Sequence, residues 1–95
     1  MDDGVKLISS AAKVFELYKK ENMSPEEIME QVSRMASVER DAKIKIGMIA
    51  SASKALSILE KNPLYSEKQV LHEVMNELPK IMATAGEDVE FYSSE

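Results

Sequence analysis

Val5-Lys6-Leu7-Ile8-Ser9-Ser10-Ala11-Ala12-Lys13 and Ile46-Gly47-Met48-Ile49-Ala50-Ser51-Ala52-Ser53-Lys54 are two versions of one pattern, offset by 41 residues. Lys20 then falls on Lys61, and one further residue moves the offset to 42, setting Ser24 on Ser66, Ile28 on Val70 and Val32 on Val74. A repeat of this kind marks a supersecondary unit that cannot bury its apolar face alone. The unit here reads as helix, short turn, helix. Made twice, it predicts an all-α fold: an antiparallel four-helix bundle built from two similar αα-hairpins.

The first helix is expected from Asp3 to Glu21. Its lysines at 6, 13 and 20 recur every seven residues and so lie on one line. Taking that line as heptad position f puts Ile8, Ala11, Phe15 and Tyr18 at a and d on the opposite side. Ser24-Pro25-Glu26-Glu27 opens the second helix: serine caps free amides, proline suits the first turn, and Glu27 completes an S-x-x-E capping box. Ile28, Val32 and Met35 form its apolar side, and it should end near Ala36-Ser37. The third helix is read from Val38 to Lys61, with a and d at Val38, Ala42, Lys45, Ile49, Ala52, Leu56 and Leu59, and Gly47 on the outer line. Asn62-Pro63 stops it. Ser66 to Gln69 makes a second capping box, and the fourth helix buries Val70, Val74, Leu78 and Ile81. Pro79 should kink or break that helix, and Gly86 should cap it. The division is therefore a single helical domain over residues 1–86 and a loose acidic tail over 87–95.

Composition excludes several functions. The 95-residue chain contains no cysteine, so it has no disulfide, zinc-thiolate site or thiol nucleophile. Its net charge of −5 opposes a phosphate backbone unless the basic residues gather on one face. Five aromatics without tryptophan leave little surface for stacking bases or sugars. The acidic start Met1-Asp2-Asp3-Gly4 is the reverse of a secretory leader, and no apolar run approaches the length of a membrane span. A cytoplasmic protein with no membrane association is expected.

Chemistry-bearing motifs are scarce. His72 is the sole histidine, and His72-Glu73-Val74-Met75-Asn76 has asparagine where a zinc protease has its second histidine. Glu26, Glu27 and Glu30 occupy the opening turns of a helix, where negative charge suits the dipole. Glu73 and Glu77 read as a solvated helix face. No phosphate loop or nucleophile elbow is present. The expectation is a non-enzymatic protein with no catalytic residue, metal or cofactor.

Two surfaces remain as functional candidates. Beside the a and d line, the first helix carries Leu7, Ser10, Val14 and Leu17, and the third carries Ile44, Met48, Ser51, Ala55 and Ile58. The apolar arc then spans roughly 200° of each helix, where a surface helix needs little more than about 100°. Either these helices form the central pair of a monomer, or this second line is an interface with another protein or another copy. The leading functional expectation is a protein acting through protein contacts, with a homodimer among the outcomes. The alternative is an accessory DNA-binding regulator using Arg34, Arg40, Lys43 and Lys45 at the junction of the second and third helices.

Overall fold

The computed structural model describes the backbone of residues 3–93 and the side chains of residues 4–86. Four helices follow in order: α1 (Asp3–Lys19), α2 (Pro25–Ser37), α3 (Ala42–Lys61) and α4 (Glu67–Ser93). No strand occurs among the described residues.

The helix starts follow local chemistry. Ser24 Oγ accepts from the Glu27 amide while the Glu27 carboxylate accepts from the Ser24 amide, the reciprocal capping box expected there. Ser66 and Gln69 repeat it at α4, with Gln69 Oε1 taking the Ser66 amide at 2.8 Å. α3 starts later than Val38. The Asp41 side chain accepts from the Lys43 and Ile44 amides and so caps a helix beginning at Ala42. Val38 is left 80% exposed in the loop, and it does not belong to the a and d line. α1 ends at Lys19, two residues early. Asn22 turns the chain with a φ of 55°, which asparagine tolerates better than most residues, and the Met23 amide closes back on the Leu17 carbonyl.

α4 corrects two expectations. Of the two outcomes expected at Pro79 it excludes the break, since the helix continues, and it passes Gly86, whose φ is not positive and which caps nothing. The helix bounds reach Ser93; the side chains of residues 87–93, and with them the expected acidic tail over 87–95, lie outside the described residues.

α1 and α3 form the centre of the bundle and share its largest helix–helix contact. α2 and α4 each pack on both. Lys6 Nζ reaches Glu39 Oε1 at 2.9 Å, and Lys19 Nζ donates to the Pro63 carbonyl. These contacts set the starts of α1 and α3 at one end of the bundle and their ends at the other. The core has two connected parts. Val14, Leu17, Ile28, Val32, Leu59, Val70 and Val74 fill one end, and Leu7, Ala36, Ile44 and Met48 fill the other. Full burial of such aliphatic side chains is worth about 1.5–3 kcal/mol each. α2 holds on through Ile28, Val32 and Ala36, all without exposed surface.

At Gly47 the side chain of Leu7 on α1 lies directly against the α3 backbone. A Cβ added there would lie 3.1 Å from Leu7 Cδ2, tighter than ordinary packing. The sequence pattern sets Gly47 on the solvent side; the structure buries it. The reason is the rotation of the frame. Leu7, Val14 and Leu17 lie deepest on α1, while Ile8, Phe15 and Tyr18 are only half-buried at its flank.

Candidate functional site

The nine residues of the second apolar line lie inside the monomer. Leu7, Ser10, Val14, Ser51 and Ala55 have no exposed surface; Leu17, Ile44, Met48 and Ile58 keep 5–7%. They form the contact between α1 and α3 and the floor beneath α2 and α4. The reading of this line as an outward-facing interface is therefore corrected. Two central helices, each covered by neighbours on both sides, need an apolar arc much wider than a surface helix does. Small side chains at Ser10, Ala11, Ser51 and Ala52 let the helices approach. The Ser10 hydroxyl is satisfied by the Lys6 carbonyl at 3.2 Å, whereas Ser51 Oγ is buried without a hydrogen-bond partner.

Of the four basic residues, Lys43 and Lys45 lie on different faces of α3. Arg34 is exposed and donates to Glu30 at 2.7 Å. Arg40 stands in the α2–α3 loop beside the capping Asp41. Lys43 reaches over α4, its Cε 3.8 Å from where a Cβ on Gly86 would stand. Lys45, two residues on, is rotated by about 200° from Lys43 and half-buried. A helix presenting a run of bases to a groove needs them on one face. Here Lys43 and Lys45 diverge.

Among the described residues, no group of three or more His, Asp or Glu side chains is placed to hold a metal ion. His72 is exposed and lines a shallow groove of about 290 Å³ with Tyr65, Lys68, Gln69 and Glu73. Glu73 Oε2 is buried there without a hydrogen-bond partner. His72 and Glu73 are chain neighbours, so their side chains project about 100° apart and do not converge on one atom. A larger groove of about 430 Å³ runs between α3 and α4, and Lys54, Glu77 and Lys80 put charge in its walls.

The third groove is of a different character. It lies between α1 and α4, has a volume of about 340 Å³, and is lined by Gly4, Val5, Ile8, Ser9, Met75 and Leu78. No charged side chain lines it, in a chain where 31% of residues are charged. Val5 is 51% exposed and Met75 54%, and these are two of the four large apolar side chains left in solvent among the described residues. The other two, Val38 and Leu64, stand singly in loops, where an exposed apolar residue needs no special explanation. Val5 and Met75 instead face the same groove, above half-buried Ile8 and Leu78.

The sequence contained a signal for this surface. Met75, Leu78 and Met82 recur at spacings of three and four on α4 beside the buried Val70 and Val74, and Leu78 and Ile81, expected in the core, are only half-buried. The apolar periodicity of α1 and α3 is stronger than this stripe. Compared with family models, curated proteins and solved structures, the chain finds no match. Among the described residues, no helix is long and apolar enough to cross a membrane.

Proposed function

We propose that this is a small non-enzymatic helical protein that acts through protein contacts, and that the α1–α4 groove is its contact face. One observation carries the reading: two large, half-exposed apolar side chains converge on a single uncharged groove. Leaving such surface in water costs roughly 25 cal/mol per Å², a cost that a docked apolar side chain removes. Methionine suits the role because its unbranched, polarisable side chain adapts to what meets it. Two helices side by side offer the groove that an amphipathic helix fills with residues at i, i+3 and i+4.

An apolar fluorescent probe such as anilinonaphthalene sulfonate tests the face directly. The folded protein should bind it saturably. Met75→Glu should abolish the signal without altering the thermal transition, while Leu64→Glu in the distant α3–α4 turn should leave it in place. Probe binding that survives Met75→Glu would place the contact face elsewhere on the molecule.

A further inference from the structure

We propose that the groove between α3 and α4 binds a small amphipathic carboxylate, its chain lying on Ile46, Ala50, Ile81 and Ala85 and its head held between Lys54 and Lys80. The site is separate from the α1–α4 contact face and does not rest on it. α3 and α4 run in opposite directions, since residues 62–66 turn the chain between them and Lys43 in the first turn of α3 lies against Gly86 late in α4. The lining therefore sorts by chemistry along the groove. Toward the start of α3 stand the four apolar residues, with Thr84 as the one hydroxyl among them. Toward the α3–α4 turn stand Ser53, Lys54, Ser57, Glu77 and Lys80.

The apolar half is a core left open on one side. Ile46 and Ile81 are only half-buried, and the small side chains of Ala50 and Ala85 beside them leave the space that makes the groove. Its volume of about 430 Å³ falls in the range that takes a small molecule. From Ile46 to Lys54 is about 12 Å along the axis of α3, a length that a carboxylate with an extended chain of about eight carbons occupies.

The polar half selects the head group. Lys54 and Lys80 stand on opposite walls, and among the described residues neither is held in an ion pair. Helical side chains lean toward the N-terminus of their own helix, so on antiparallel neighbours these two stems lean toward one another. Glu77, three residues before Lys80, can offset one ammonium group but not both. Two lysines against one glutamate leave the lining one net positive charge, in a chain whose net charge is −5. The hydroxyls of Ser53 and Ser57 add donors for the second carboxylate oxygen. The α1–α4 groove, with no charged lining, offers no such place for a head group.

Sodium octanoate, titrated to about 50 mM into the full chain at about pH 8 and followed by amide chemical shifts, tests the site. Amides of residues 46–57 and 77–85 should shift together and saturate, with half-saturation at about 5 mM or below. Lys54→Gln/Lys80→Gln should weaken binding about tenfold, to the level of octan-1-ol, whereas Glu77→Gln should tighten it about threefold. Both lysines are exposed, so the thermal transition should stay in place. If it moves, the single variants, each weakening binding severalfold, carry the same test. Met75→Glu, in the α1–α4 groove, should leave octanoate binding unchanged. The absence of a saturable shift, or equal binding of octan-1-ol or by the double lysine variant, overturns the proposal. So does octanoate binding that is lost in Met75→Glu and kept in the lysine variant, a result that leaves the contact-face reading standing.

Discussion

Two glycines show how far a residue's meaning depends on what stands opposite it. Both Gly47 and Gly86 lie within helices, where glycine is roughly 1 kcal/mol less favourable than alanine. Gly86 faces only the end of the Lys43 side chain at 3.8 Å, ordinary contact with room to move. Gly86→Ala should therefore raise stability by about 0.5–1 kcal/mol. At Gly47 the new methyl would meet three atoms of Leu7 at 3.1, 3.2 and 3.3 Å. Leu7 is wholly buried against Ala36, Ile44 and Met48 and has little freedom to withdraw. Overpacking costs about 1–3 kcal/mol, so Gly47→Ala should lose about 1 kcal/mol net despite its better helix propensity. Urea midpoints of the two variants should move in opposite directions. Equal shifts would mean that α1 does not press on α3 at this point.

At the scale of the element, α4 sets proline against length. Pro79 cannot donate to the Met75 carbonyl, and its ring crowds the preceding turn, yet α4 runs unbroken from Glu67 to Ser93. The tertiary contacts on either side hold it. Val70 and Val74 are buried on one side of Pro79 and Ala85 on the other, so both halves are anchored to the same two helices. Pro79 itself is exposed and contributes nothing to the core. Pro79→Ala should stabilise the protein by about 1–3 kcal/mol in urea unfolding and raise its helical ellipticity. A loss of stability would instead show that the packing of α4 depends on a bend at that position. The capping boxes at Ser24 and Ser66 were legible from four residues each, because capping is settled within one turn. The Asp41 cap had the same kind of signal, but it was hidden by the apolar Val38, which extended the α3 pattern in the wrong direction.

For the whole molecule, the decisive arrangement is the central pair. α1 and α3 are each covered on two sides, so residues at equivalent places in the two pattern copies share one environment. Leu7 and Met48, Ser10 and Ser51, Ala11 and Ala52, Val14 and Ala55, Leu17 and Ile58 are all buried. A charge placed there has no route to water. Leu17→Glu should cost about 3 kcal/mol or more and remove most of the cooperative thermal transition. Val38→Glu, at a site 80% exposed, should leave the transition within about 0.5 kcal/mol of the parent. A Leu17→Glu protein that stays folded and merely changes its association would return this line to the surface, and with it the first reading of these residues.

What the sequence determined by itself was the number of helices, the two serine caps, the absence of cysteine chemistry and the width of the apolar arc. All of these follow from spacings within one element or from composition. Whether that arc faced another protein or another helix of the same chain was not a local property. It depended on α2 and α4 each packing on both α1 and α3, a matter of how four helices share one core. The α1–α4 groove likewise exists only after folding. Val5 and Met75 are 70 positions apart in the chain, and each alone is an unremarked apolar residue on a polar helix face. Only the packing of α4 against α1 makes them the two rims of one surface.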